Sequence, residues 1–248
     1  MPKIIAIVSH KGGTGKTSLV QNIAYELSEE NKVLVVDLDP QSNLTIGCGL
    51  DPNEERLTIY QAMHEPTETP HAIVELDHFD ILPADLDLAF AELQFAAHYD
   101  RNDKLKHTLK AVEDGYDYIF IDTPPNLGFF AFNALTAATE AIITLQCQPY
   151  AFRALDSTLQ LIELVQKGNP ALGVKAIVLT IYDKRLSLTK SVEKIARSRF
   201  GDLIPQTVIP INISIAEATL DGVPVGVYAK RSTGARAYKE LAKELFYG

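Results

Sequence analysis

The sequence predicts an α/β fold, a doubly wound, mostly parallel sheet with helices on both faces. Three observations predict it. Apolar runs of strand length alternate with longer segments of helical pattern, and a parallel strand pair needs such a long crossover. The strongest runs are apolar at consecutive positions, as strands covered on both faces require. No repeat, low-complexity tract or credible linker interrupts the alternation, so residues 1–248 read as one domain.

Ile4 to Ser9 is a β-branched run, and a helical pattern follows from Lys16 to about Glu29. Lys32 to Asp39 is a second apolar run that ends in acids, and Asp80 to Pro83 is a short third. Tyr116 to Asp122 is a strong run bounded by Thr123-Pro124-Pro125. Ala141 to Leu145 and Val174 to Ile181 complete the strands. Helices are expected at about 85–114, 127–138, 153–168, 187–199 and 233–246. The acid-rich part from Asp51 to Asp114 is the least regular and is expected to hold surface helices.

Composition narrows the function. The chain of 248 residues is 46% hydrophobic and 22% charged, which excludes a disordered chain. Gly and Pro spread along its length exclude a coiled coil, and no apolar run is long enough to span a membrane. The N-terminal run passes straight into a glycine-rich loop without a cleavage site, so it reads as a strand and not a signal peptide. Cys48 and Cys147 are isolated, which suits a reducing cytoplasm. The net charge of -9 argues against nucleic acid until it is divided along the chain. Residues 184–248 carry 11 basic and 6 acidic residues, whereas residues 1–183 carry 12 and 26.

The most informative segment is Lys11-Gly12-Gly13-Thr14-Gly15-Lys16-Thr17-Ser18, placed after a predicted strand and before a predicted helix. Glycines there allow a tight turn that aims successive N–H groups at phosphate oxygens, and the helix N-terminus adds its positive dipole end. Lys16 is placed to reach the β- and γ-phosphates and Thr17 to bind Mg²⁺. The usual first glycine of such a loop is replaced by His10, and a second lysine, Lys11, follows it.

Two carboxylate motifs accompany the loop. Val35-Val36-Asp37-Leu38-Asp39-Pro40-Gln41 brings acids to the carboxyl end of a strand, where open α/β sheets bind ligands. Tyr118-Ile119-Phe120-Ile121-Asp122-Thr123-Pro124-Pro125 delivers the single carboxylate of Asp122. Magnesium keeps several waters, so one Asp, Thr17 and phosphate oxygens suffice to hold it. The six histidines show no metal-ligand spacing, and no Ser-His-Asp or Cys-His arrangement competes.

KGGTGKT resembles the deviant Walker A loop of the ParA/MinD group of P-loop ATPases, and DLDPQ and YIFIDTPP resemble its other nucleotide motifs. Val208-Ile209-Pro210-Ile211-Asn212 and the later G-x-P-V and S-x-G-A-x-A-Y patterns extend the resemblance from residue 3 to about 246. The resemblance implies an Mg²⁺-dependent ATPase that binds ATP and ADP. It implies that Lys11 reaches across an ATP-dependent homodimer to the partner's phosphates. It further implies that Asp39 positions the attacking water, that Thr17, Asp39 and Asp122 serve the metal, and that Pro210 and Asn212 lie against the adenine.

A ParA-type member positions a cargo, such as a plasmid, a chromosome origin or a carboxysome. It binds DNA nonspecifically, and a ParB-like or other adaptor stimulates hydrolysis. The resemblance thus implies a cytoplasmic, nucleoid-associated protein. Chromosomal members carry arginines where this chain has Ile211 and Ser214, so DNA binding is expected to fall to other cations. Arg185, in a loop that resembles a DNA-contacting one, and Lys184 are candidates. So are Lys190, Lys194 and Arg197, whose i, i+4, i+7 spacing predicts one helical face. The second reading is a MinD-like membrane switch, which needs a basic amphipathic helix past the core. Residues 235–246 are amphipathic but mix Glu with Lys on the polar side, so packing on the sheet is expected and no membrane. No iron–sulfur cluster is expected, because neither cysteine lies near the Pro124-Pro125 turn.

Overall fold

The computed structural model describes residues 2–247. The first half runs β1 (Lys3–Val8), α1 (Lys16–Leu27), β2 (Val33–Asp37), α2 (Asn43–Gly47), α3 (Ile59–His64), α4 (Thr69–Ala72), β3 (Val74–Glu75), β4 (Asp80–Leu82), α5 (Ala91–Phe95) and α6 (Lys104–Lys110). The second half runs β5 (Tyr118–Asp122), α7 (Phe129–Ala137), β6 (Glu140–Gln146), α8 (Ala151–Gln166), β7 (Gly173–Thr180), α9 (Ser187–Phe200), α10 (Ile213–Leu220), α11 (Val225–Tyr228) and α12 (Thr233–Phe246). The strands form one sheet in the order β3-β4-β2-β5-β1-β6-β7. All its pairs are parallel except β3 with β4, so the predicted fold class holds.

Consecutive apolar residues in β1, β2 and β5 send side chains to both faces, and each face has its own core. Ile4, Ala6 and Val8 pack with α3, α6, α7 and α8, while Ile5 and Ile7 pack with α1 and α12. Cys147 lies in the first core and Cys48 in the second, so the sheet separates the two thiols. Burial pushes both thiols up, Cys147 to about 11. The apolar stripe of α12 is already covered: Tyr238, Leu241 and Ala242 are buried, and the Phe246 ring meets Tyr118 and Phe120 edge-on at 5.5 and 5.8 Å. No helix among the described residues is long and apolar enough to cross a membrane.

The expected helix over 85–114 is instead a 3₁₀ turn at Leu86–Phe90, α5, a loop, α6 and a second 3₁₀ turn at Glu113–Gly115. Turn-forming Asp100, Asn102 and Asp103 interrupt it, and Asn133 of α7 ties the break down by bonding Arg101 O and Leu105 N at 3.0 and 3.2 Å. Strand β3 and helices α2 and α10 carried too little periodicity to be expected. Glycine is required where the α2 and α10 exits touch: a Cβ on Gly222 would stand 2.5 Å from Gly49 Cα.

Candidate functional site

The parallel register carries the carboxyl ends of β1, β2 and β5 to one edge of the sheet. Ile7 pairs with Asp122 and Asp37 pairs with Asp122, so two carboxylates end adjacent strands beside the glycine loop. In the loop, Gly13 (φ 68) and Gly15 (φ 80) take the left-handed conformation that opens α1. Hydroxyls brace it from the sheet: Thr180 donates to Thr14 O at 2.7 Å, and the Thr14 and Thr144 hydroxyls share a bond of 2.8 Å. Thr123 donates to Ile7 O at 2.7 Å, which pins the loop after β5 to the end of β1.

The Thr17 hydroxyl donates to Asp122 Oδ2 at 2.6 Å. The other oxygen, Oδ1, is buried without any hydrogen-bond partner. An orphaned buried carboxylate oxygen beside a hydroxyl is a donor set suited to a hard cation such as Mg²⁺. Burial and the neighbouring Asp37 push the Asp122 carboxyl up to about 8, against the pull of Thr17 and Lys16. Lys16 is buried, which lowers its ammonium, while Asp122 and Asp39 draw it back up.

Asp37 and Asp39 divide the labour at the end of β2. Asp37 is fully buried and accepts from Asp39 N (3.1 Å), Thr45 N (2.9 Å) and the Thr45 hydroxyl (2.8 Å). It therefore holds the loop, and burial raises it to about 6. The Asp39 side chain accepts only from Gln41 N at 3.0 Å among the described residues, which leaves Oδ2 without a hydrogen-bond partner. At the far edge, Ile209 N bonds Leu179 O and Tyr182 N bonds Ile209 O, each at 2.9 Å. This pairing carries Pro210 and Asn212 to the same end of the sheet. Asn212 caps α10 by accepting from Ser214 N at 2.9 Å and donates to the Thr233 hydroxyl at 2.7 Å.

The basic candidates separate. Lys190 and Lys194 are exposed on α9. Arg197 is not with them. Its Nε donates to Glu193 at 2.9 Å, and its remaining nitrogens donate to the carbonyls of Ile204, Pro205 and Gln206 at 3.2, 3.0 and 3.4 Å. Every arm of its fork is used to fasten the α9 exit, so the predicted stripe of three is a pair. Lys184 and Arg185 are exposed, but Arg185 makes a bidentate pair with Asp183 at 2.9 and 2.7 Å and holds that carboxyl down at about 2.

A family model described as an AAA domain matches residues 2–174. The chain is 39% identical over 249 residues to the sporulation initiation inhibitor protein Soj of Bacillus subtilis, covering 99% of this chain and 98% of Soj. It is 36% identical to the chromosome partitioning protein ParA of Caulobacter vibrioides, covering 98% of this chain and 93% of that one. The chain belongs to the ParA/MinD family of ATPases. A crystal structure from Mycobacterium smegmatis, described as cobyrinic acid a,c-diamide synthase with bound ATP analog and magnesium, shares the fold at a TM-score of 0.88 and 33% identity. It covers 98% of this chain and 93% of that one.

In this ATPase several residues at the site had no motif to announce them. Thr144, Gln146 and Gln148 are alternate polar positions at the end of an apolar strand, a period-two signal that points them to one face. Ser42, Tyr150 and Ile181 take positive φ (54, 65 and 51) just beyond β2, β6 and β7. Such strain in non-glycine residues is sustained only where surrounding structure fixes it, and all three sites rim the same end of the sheet.

Proposed function

We propose that this chain is a ParA-type positioning ATPase that dimerises on ATP and binds DNA without reading its sequence, with hydrolysis stimulated by a ParB-like or other adaptor. The observation that carries it is the unpartnered Asp122 Oδ1 beside the Thr17 hydroxyl at the foot of a glycine loop bearing two lysines. The relatives' printed roles, chromosome partitioning and inhibition of sporulation initiation, support the positioning reading.

Residues 12–18 bind the ATP phosphates with backbone N–H groups, and Lys16 adds its charge. Thr17, Asp39 and Asp122 would hold Mg²⁺, which would neutralise charge on the phosphate oxygens. Asp39 orients the attacking water with its free oxygen, while Asp37 keeps the Asp39 loop in place. Pro210 and Asn212 flank the adenine. Lys11 supplies its cation to the partner's phosphates. Lys184, Lys190 and Lys194, with Arg185, contact DNA phosphates, where each cation adds affinity that salt removes.

Retention on immobilised DNA tests the reading. Retention is expected with ATP, and it should fall as salt rises and vanish with ADP or without nucleotide. Equal retention in all three nucleotide states removes the DNA-positioning role.

A further inference from the structure

Lys11 is not free in the single chain. Its ammonium donates to Gln146 Oε1 at 3.2 Å and also to Gln148 Oε1. Gln146 ends β6 on the alternating face that presents Thr144 to Thr14, and Gln148 lies in the bend two residues beyond it. One short strand end thus grips the glycine loop twice, by its buried threonine and by its half-buried lysine. The turn that carries Gln148 is itself strained, with Tyr150 at φ 65 and 85% exposed.

The chemistry of the two acceptors is informative. A carboxylate in their place would fix the lysine and cancel its charge. A neutral amide oxygen accepts the N⁺–H bond and leaves the charge intact for another ligand. Gln148 is exposed, so water replaces it when the lysine leaves. A cation needed across an interface is therefore held in its own subunit by partners that release it at low cost.

We propose that Gln146 and Gln148 are positioning residues that hold Lys11 against its own subunit and set how readily ATP closes the dimer. The proposal rests on the reading that Lys11 acts across a dimer interface. Removing a glutamine frees the lysine and favours closure. Replacing Gln148 with Glu adds a charge that holds the lysine back.

Sedimentation velocity with a non-hydrolysable ATP analogue, at a series of protein concentrations, tests it. Gln148→Ala should lower the concentration at half-dimerisation by roughly threefold to tenfold. Gln148→Glu should raise it, and this rise should shrink between about 0.05 and 0.3 M salt because an exposed ion pair is screened. Nucleotide affinity of the dilute monomer should stay unchanged in both, which a merely structural role would not ensure. An unchanged or raised midpoint in Gln148→Ala overturns the proposal, as does a shift of both variants in the same direction. Lys11→Ala in the same assay separates the two levels. If it dimerises like the parent, the cross-subunit reading itself fails. If it does not dimerise while Gln148→Ala matches the parent, only the latch fails.

Discussion

Asp37 and Asp122 end adjacent strands and are fully buried, whereas Lys190 and Lys194 stand in water on α9. The first pair has its orientation fixed by the sheet register and by bonds from Thr17, Thr45 and Asp39. The second pair is placed only by helix periodicity. Arg197 marks the boundary between these regimes. It shares the spacing of the lysines, yet a nearby turn rich in carbonyls captures it. Burial with bonding preorganises a site for one ligand geometry, while exposed cations suit a partner read only by charge.

Four variants separate the buried site from the exposed cations. Lys16→Ala should cost the most on the buried side, lowering nucleotide affinity by roughly 100-fold, read by isothermal titration. A modest loss would show that the backbone cradle suffices alone. Arg197→Ala should destabilise the fold by about 2 kcal/mol in urea unfolding, since the Glu193 carboxylate and three carbonyls lose their charge-assisted donors. It should leave the salt dependence of DNA retention unchanged, and a shallower dependence would return Arg197 to the DNA face.

Asp122→Asn should raise the stability of the ligand-free protein by about 1–2 kcal/mol at pH 8, because a buried charge is removed, while weakening Mg²⁺ binding. The sign follows from a folded pKa raised to about 8 from 3.8. The folded state binds the extra proton, so this group's contribution is present at low pH and lost as pH rises through 8. Thermal melts of the parent from pH 6 to 8 should show that loss, and the variant should show less of it. The smallest effect belongs to Lys190→Ala with Lys194→Ala. It should reduce the slope of log affinity against log salt by about 2 and leave stability within about 0.5 kcal/mol. An unchanged slope would remove α9 from the DNA surface.

Legibility followed the same division. Asp122 could be read because an apolar strand delivers it at a motif's fixed distance, and β5 ends where the sequence predicts. The 85–114 segment could not, because its break depends on Asn133 of α7, far along the chain. The β6 end was legible in part. Thr144, Gln146 and Gln148 alternate visibly, but nothing local says that the opposite face of the site holds a lysine for them.

The sequence by itself determined the α/β alternation, the glycine loop and the carboxylates at strand ends. Those depend on residues within one turn or one strand, where backbone geometry fixes direction. Tertiary structure alone decided which oxygen of Asp122 lacks a partner, which groups bond Asp37, and that Arg197 is consumed by the α9 exit. It also placed Lys11 between two glutamines. These outcomes turn on which polar groups meet across sequence separations of up to 137 residues, and a side chain's partners are set by packing, not by its neighbours in the chain.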